Sequence, residues 1–138
     1  GFIRKKSAQI FAENLIKKYD VRGATSETQA RLLSGGNMQK LVLGRALSVS
    51  PKLIIANQPT RGLDEGAIAA VHEELLKARS EGVAILLISE ELEEAVGLSD
   101  RLQAIVKGRL SEPIKAEEAD ATRLGLMMSG VWGEDNET

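Results

Sequence analysis

The sequence predicts an α/β fold in which parallel strands alternate with helices. Residues 53–56 and 83–88 are short, continuous apolar runs, which is the pattern of strands buried within a parallel sheet. Residues 65–80, between them, place Ile68, Val71 and Leu75 on one side of a helix. Two buried strands joined by a helix form a βαβ unit, so we expect a Rossmann-like parallel sheet that is covered on both faces.

Two helices are predicted before the first strand. Residues 7–19 carry Ile10, Phe11, Leu15 and Ile16 at helical spacing, with lysines in the last turn where they favour the helix dipole. Residues 20–30 are polar and are expected to form a loop. A second helix is expected to follow Ser34 as its N-cap and to run through residue 48, with Pro51 behind it. Its apolar side consists of Met38, Leu41, Val42, Ala46 and Leu47.

The remaining elements continue the alternation. Asp64 is expected to cap the helix at 65–80, and Gly82 is expected to end it. A helix over 91–98, a strand over 101–106, a turn at 107–108 and a short strand reaching residue 111 should follow. Residues 114–128 are expected to form a terminal helix, and residues 130–138 an acidic, frayed tail. The inward residues of that terminal helix are expected to be Leu124, Met127 and Met128.

Composition limits the classes of function. The chain has 138 residues, 43% of them hydrophobic, which is enough for one core and too little for two complete domains. Its net charge of −2 makes nucleic acid a poor candidate partner. There are no cysteines, so disulfides and thiolate metal sites are excluded. No apolar run approaches the roughly 20 residues of a membrane span, so we expect any membrane association to come through a partner. Because Gly1 opens the chain without an initiator methionine, we also expect a piece of a longer protein.

The start of the second predicted helix has the chemistry of an anion site. Gly35 and Gly36 directly follow the capping serine, and without β-carbons they allow a bulky charged group to approach the backbone. Free amides at a helix start, together with the positive end of the dipole, favour a phosphate. The alternative interpretation is an ordinary loop-to-helix junction, for which the same residues are common.

The residues after the first strand lie where α/β sheets bind ligands, yet they lack the charge that phosphoryl transfer needs. A working site needs a carboxylate for magnesium and a group that deprotonates water. Asn57 and Gln58 carry neutral amides instead, so no catalytic residue and no metal ligand is predicted. The phosphate loop GxxxxGK[ST] is also missing from the sequence. We therefore expect the isolated chain to bind ATP no tighter than about millimolar, and to hydrolyse none of it.

Two motifs at matched spacing resemble a known family. The octapeptide LSGGNMQK at residues 33–40 and the octapeptide NQPTRGLD at residues 57–64 resemble the signature and Walker B/D-loop segments of ABC-transporter ATPases. The resemblance implies a truncated P-loop NTPase core with mostly parallel strands, plus the end of the ABC helical subdomain. It implies a partial helical subdomain at 1–50, the C-terminal part of the RecA-like core at 51–130, and a flexible tail at 131–138.

The same resemblance implies roles for individual residues. The signature of one subunit closes over the γ-phosphate of ATP held by the opposite subunit. The residues implied in that contact are Ser34, Gly35, Gly36 and Asn37, the last in place of the usual glutamine. Asp64 would belong to the D-loop, which communicates between the two ATP sites, a role compatible with helix capping.

The resemblance also marks three positions as degenerate. Asn57 and Gln58 stand where the family has the magnesium-ordering aspartate and the water-polarising glutamate. Glu90 stands where the family has the switch histidine, and its alternative interpretation is a cap for the helix that follows.

The sequences of the two motifs resemble those in the second ATP-binding half of tandem ABC ATPases that energise bacterial import of simple sugars and nucleosides. This implies ATP and magnesium in the parent assembly, with the other ATP-binding half and transmembrane permease subunits as partners. It implies a peripheral position on the cytoplasmic face of the inner membrane. The isolated chain should expose a sheet edge and is therefore expected to self-associate.

Two other classes of function stay open at this stage. A non-transport ABC-like ATPase of the chromosome-maintenance or translation-factor type shares the Ser-Gly-Gly helix, but should show basic grooves or long heptads. A purely structural α/β module with vestigial motifs is the third hypothesis.

Overall fold

The computed structural model describes residues 4–131, in two compact units. Described residues up to Ile88 form the first unit, and those from Ser89 onward form the second. The helices of the first unit are α1 (Lys5–Lys18), α2 (Gly35–Leu47) and α3 (Glu65–Ser80), and its strands are β1 (Leu53–Asn57) and β2 (Ala84–Ile88). The second unit contains α4 (Leu92–Leu98), β3 (Arg101–Leu102), β4 (Ile105–Val106), β5 (Arg109–Leu110), β6 (Ile114–Lys115) and α5 (Ala121–Ser129). Short 3₁₀ turns occupy Ala30–Leu32 and Ala116–Glu118.

The parallel βαβ prediction is confirmed in the first unit. Strands β1 and β2 pair in parallel over their whole length, from Leu53 opposite Ala84 to Asn57 opposite Ile88. Helix α3 connects them with the predicted bounds, and its buried side chains are Val71, Leu75 and Ala78. The mixed α/β fold predicted from the sequence is therefore present.

Coverage of the sheet on both faces is a wrong prediction for this chain. Alternate residues of β1 are buried, Ile54 and Ala56, while the residues between them are not. The other face carries exposed apolar side chains, with exposed fractions of 54% for Leu53, 64% for Ile55, 51% for Leu86 and 42% for Ile88. The continuous hydrophobic runs are typical of strands buried on both faces, but only one face is covered here. Among residues 4–131, β1 and β2 pair only with each other, so each has one open edge.

The predicted helices 7–19 and 34–48 are confirmed within two residues of their bounds, and the two pack together. Their shared core contains the buried side chains of Leu15, Tyr19 and Val21. The Tyr19 ring lies directly against Gly44 of α2, where a β-carbon would approach two ring atoms to 2.8 Å. The apolar side predicted for α1 is only partly buried, because Ile10 and Phe11 are each about half exposed.

Both predicted side-chain caps are present. Ser34 Oγ accepts the backbone N–H of Asn37, and Asp64 Oδ1 accepts the backbone N–H of Ala67 at 2.9 Å. Helix α3 ends before Gly82, whose φ of 89° lies in the left-handed region that glycine adopts without strain.

The single strand predicted over 101–106 is wrong, because the chain turns a corner within it. Its first part, β3, pairs antiparallel with β6, while β4 pairs antiparallel with β5. The corner is held by Ser111, whose Oγ accepts the N–H of Ala104 at 2.9 Å and whose own N–H donates to the Ala104 carbonyl at 2.8 Å. The predicted turn at 107–108 is confirmed, with positive φ at both Lys107 and Gly108 as a tight hairpin requires.

The continuous terminal helix predicted over 114–128 is also wrong in its first half. Ile114 is buried in strand β6 opposite Leu102, and helix α5 begins only after Asp120, whose carboxylate accepts the N–H of Arg123 at 2.7 Å. Of the residues expected to point inward, Met127 is buried while Met128 is 52% exposed. The predicted tail lies outside the described residues beyond Val131. No helix within residues 4–131 has the length and apolarity that crossing a membrane requires.

Candidate functional site

The start of α2 presents a set of hydrogen-bond donors without partners in the described chain. Ser34 is extended, with φ −62° and ψ 158°, and its carbonyl accepts the N–H of Met38 at 2.9 Å, which begins the helix. Neither Gly35 nor Gly36 donates its backbone N–H to any acceptor within residues 4–131. These amides lie at the positive end of the helix dipole, where an anion is stabilised. The geometry therefore fits the phosphate chemistry predicted from the sequence.

The two glycines also have a packing role that sequence analysis missed. A β-carbon on Gly36 would lie 2.6 Å from the β-carbon of Ala67 in α3, and one on Gly35 would lie 3.3 Å from Leu63 Cδ2. The side of the helix start that lacks β-carbons therefore faces the beginning of α3. Glycine at these positions lets α2 and α3 approach closely, whether or not a ligand binds.

Asn37 is held at both ends of its side-chain amide. Its Oδ1 accepts the backbone N–H of Arg22 at 2.8 Å, and its Nδ2 donates to Ser34 Oγ at 2.9 Å. The backbone N–H of Asn37 donates to the same Ser34 oxygen at 3.4 Å. A direct contact of Asn37 with a phosphate stays a prediction; the amide is engaged within the chain.

The residues that follow α1 are fastened to α2 by charge as well. Asp20, with φ 47°, lies near both Lys40 and Arg22, at N–O distances of 3.6 and 3.1 Å respectively. Lys40 also donates to the Asp20 carbonyl at 3.2 Å. The side chains of Asp20 and Arg22 are largely exposed and that of Lys40 is 22% exposed, so each ion pair contributes about 0–1 kcal/mol to stability. Together with the Asn37 bond, they connect the segment 20–22 to two successive turns of α2.

Asn57 and Gln58 lie where the sequence predicts them, at the carboxyl end of β1. Asn57 is the last strand residue and is exposed, and Gln58 follows with a φ of 49°. The N–H of Gln58 donates to the Ile88 carbonyl at 2.8 Å, which extends the pairing with β2 beyond the strand. The structure thus places both amide residues at the carboxyl ends of the parallel strands, where α/β proteins bind ligands.

The donor set at this edge does not fit magnesium. Magnesium in nucleotide sites is bound through carboxylates and phosphates, and the residues at 57 and 58 supply neutral amides only. Within residues 4–131, no cluster of three or more histidine, cysteine, aspartate or glutamate side chains could hold a metal ion. Asp64, the next carboxylate along the chain, accepts the N–H of Ala67 as the cap of α3. A D-loop role for Asp64 remains a prediction.

Glu90 belongs to the second unit and does not occupy the N-cap position of α4. That position is Glu91, whose side chain makes no capping hydrogen bond, while its N–H donates to Ser89 Oγ at 3.0 Å. The hypothesis that Glu90 is the N-cap of this helix is therefore wrong. Its interpretation as a replacement for a switch histidine is not affected and stays a prediction.

Sequence comparison identifies relatives of the chain. It is 47% identical over 130 residues to the guanosine import ATP-binding protein NupO of Bacillus subtilis (strain 168), a match that covers 94% of this chain and 26% of NupO. The chain is homologous to sugar and nucleoside import ABC ATPases. The nucleoside import ATP-binding protein NupA of Lactococcus lactis is 42% identical, and the ribose import ATP-binding protein RbsA of Bacillus subtilis is 39% identical, each over 94% of the chain. The chain spans about a quarter of the length of these curated relatives.

Solved structures support the fold. An ATP-binding cassette of an ABC transporter superposes with a TM-score of 0.70 at 21% identity, covering 97% of this chain and 50% of the cassette. A dimeric ATP-binding cassette bound to ADP and phosphate gives a TM-score of 0.68 at 22% identity, covering 84% of this chain and 50% of that one. No model of a protein family matches the chain. The fold corresponds to about half of an ATP-binding cassette.

Proposed function

We propose that this chain is the C-terminal part of the second ATP-binding half of a tandem ABC importer ATPase for simple sugars or nucleosides. In this proposal Ser34, Gly35 and Gly36, at the start of α2, donate hydrogen bonds to the γ-phosphate of ATP bound by the other half. The observation that carries the proposal is the set of backbone N–H donors at Gly35 and Gly36, which have no acceptor within residues 4–131 and lie at a helix N-terminus. Homology to import ATP-binding proteins supports the identity of the anion as a nucleotide phosphate.

The proposal assigns different roles to the two ATP sites of the parent. ATP and magnesium act at the site built by the other half, and the signature of this chain completes that site. The site to which this chain contributes Asn57 and Gln58 lacks the carboxylates for magnesium and for water activation, so it turns over no ATP. Glu90 at the switch position contributes further to that loss, and Asp64 of the D-loop lies at the junction between the two sites.

Partners and location follow from the same proposal. Transmembrane permease subunits carry the cargo, and this chain reaches the membrane only through them, on the cytoplasmic face. Names of relatives support a nucleoside or a simple sugar such as ribose as the cargo class, because those proteins are importers of guanosine, nucleosides and ribose. The net charge of −2 gives no support to a nucleic-acid partner, which a non-transport ATPase would need.

The experiment is the ATPase rate of the native full-length protein, reconstituted with its permease, after substitution at the helix start. Ser34→Arg fills the donor site with a bulky side chain, and we expect the rate to fall about 10²–10³-fold, as it does when preorganised donors to a developing anion are removed. Ser80→Arg is the matched control, since Ser80 is also exposed and ends α3 by donating to the Lys77 carbonyl.

A second comparison tests the degenerate strand end. Asn57→Ala and Gln58→Ala together should leave the rate within about twofold, because neither side chain takes part in turnover. A normal rate in Ser34→Arg would support the vestigial structural module instead. A collapse of the rate in the Asn57 and Gln58 variant, with unchanged thermal stability, would contradict the assignment of a non-hydrolysing site.

A further inference from the structure

We infer that Asn37 is a positioning residue that turns the hydroxyl proton of Ser34 toward the phosphate. The inference deepens the proposed function and rests on it. It concerns the residue at which this signature differs from the usual glutamine of the family, and it assigns that residue an action through Ser34.

The contacts of the Asn37 amide fix its orientation. The backbone N–H of Arg22 can only donate, so the Asn37 atom that faces it at 2.8 Å is the oxygen Oδ1. The other end of the amide, Nδ2, therefore faces Ser34 Oγ at 2.9 Å. A fixed backbone donor thus decides which way this amide points.

The Ser34 hydroxyl oxygen is the acceptor in both of its hydrogen bonds to Asn37. An amide nitrogen can only donate, so Ser34 Oγ accepts from Asn37 Nδ2, and it accepts a second hydrogen bond from the Asn37 backbone N–H. A hydroxyl oxygen has two lone pairs, and both are used by these bonds. The remaining function of the hydroxyl is to donate its proton, and it has no acceptor for that proton within residues 4–131. Because Ser34 is exposed, an anion can approach the hydroxyl and accept that proton.

The consequence is a set of three donors at the start of α2, the Ser34 hydroxyl and the amides of Gly35 and Gly36. Without Asn37 the hydroxyl can rotate, and part of its population would accept where the phosphate needs a donor. The segment that sets this polarity is 20–22, which is attached to α2 by Lys40 one turn further along. Donor polarity at the signature therefore depends on a residue that acts through Ser34.

The test uses the native full-length protein with its permease and measures kcat and KM for ATP separately. Asn37→Asp is the informative variant, because it keeps the size of the side chain and can still accept from the Arg22 N–H. Its second oxygen carries no proton, so it accepts from Ser34 and reverses that hydrogen bond, while its charge opposes the phosphate. A hydrogen bond to a charged group is worth a factor of about 10 to 150, so we expect kcat to fall by at least tenfold, with KM changed less than about threefold.

A double-mutant cycle separates positioning from a merely structural role. Asn37→Ala should lower kcat about threefold to tenfold in the natural background, and less than about twofold when Ser34→Ala is already present, because the group on which it acts is then gone. Equal losses in the two backgrounds would overturn the inference. So would Asn37→Asp activity within twofold of the natural protein.

Failure of the inference differs from failure of the proposed function. A large loss in Ser34→Ala with none in Asn37→Asp would refute only the positioning role. Full activity in Ser34→Ala, Asn37→Asp and Ser34→Arg alike would refute the signature function, and the positioning role with it. Hydrogen exchange at the Arg22 amide provides a structural control, since that amide should lose protection in Asn37→Ala and keep it in Asn37→Asp.

Discussion

Gly36→Ala gives the sharpest test of the packing between α2 and α3. The added β-carbon would lie 2.6 Å from the β-carbon of Ala67, about 0.8 Å short of the 3.4 Å at which ordinary contact begins. Both carbons are attached directly to helix backbone, so neither can rotate away. The strain is relieved only if the starts of the two helices move apart.

The expected magnitude follows from two opposing effects. Overpacking of this kind costs about 1–3 kcal/mol, and the rigid attachment of both carbons places it near the upper end. Replacing glycine with alanine in a helix contributes about 1 kcal/mol in the opposite direction. We therefore expect Gly36→Ala to lower the free energy of unfolding by about 1–2 kcal/mol.

The exchange of the two residues provides the matched control. Gly36→Ala combined with Ala67→Gly moves one methyl group from α3 to α2 and removes the clash, so the double variant should have nearly the natural stability. Ala67→Gly alone should lose about 1 kcal/mol of helix propensity, which gives a coupling energy of about 2–3 kcal/mol between the sites. The assay is urea denaturation of the purified chain, followed by circular dichroism. Additive effects of the two substitutions, or an unchanged midpoint in Gly36→Ala, would refute the reasoning.

Three further predictions concern the same chain. Gly44→Ala should lower the unfolding free energy by about 1–3 kcal/mol, because the added β-carbon overlaps the buried Tyr19 ring. The β-carbon of Gly97→Ala meets open space, so this control should raise the unfolding free energy by about 0.5–1 kcal/mol. Calorimetry measures both values, and equal shifts in the two variants would contradict the packing of Gly44 against Tyr19. Asp64→Ala removes the cap of α3 and should cost about 1 kcal/mol in urea denaturation, with Asp64→Asn close to neutral; equal losses would exclude capping. The purified chain should self-associate, and Ile55→Lys on the exposed face of β1 should lower the average molecular mass measured by light scattering. A monomeric mass for the natural chain would contradict this prediction.

The sequence predicted the βαβ unit well because several signals agreed there. Residues 65–80 have an apolar helical stripe, an aspartate cap before them and a glycine after them, and the helix has the predicted bounds. The apolar runs on both sides are short and continuous, and they pair in parallel. When pattern, cap and stop signal all indicate the same element, its bounds need no tertiary information.

Prediction failed where tertiary contacts, rather than local pattern, decide the structure. Residues 101–106 were predicted to form one strand, but the contacts of Ser111 with Ala104 break it, and nothing in the local pattern shows a partner seven residues away. The terminal helix was predicted to begin at residue 114, whereas residues 114–115 form β6 and α5 begins only at Ala121. A local signal against this was present in Asp120, which is a good N-cap at the true helix start.

The candidate site divides in the same way. The donors at the start of α2 were predictable, because a capping serine followed by two glycines is a local pattern. The bond from Arg22 to Asn37 was not predictable, because it joins residues fifteen positions apart through a loop whose path depends on α1 packing against α2. The contact of Gly36 with Ala67 was not predictable either, because Ala67 lies on another helix.

These contacts change what an intact signature means in this chain. Gly36 is required for packing against Ala67 even if no phosphate ever binds, so its presence beside the neutral amides of Asn57 and Gln58 is no proof of function. Asn57 is exposed and has no comparable packing role, so the fold is equally compatible with an amide or a carboxylate at this position. Packing alone would then require glycine at position 36 and would set no requirement at position 57. Capping of α2 explains the Ser34 oxygen, which accepts the Asn37 N–H, but neither packing nor capping uses the exposed hydroxyl proton. The case for a working signature therefore depends on what that proton binds.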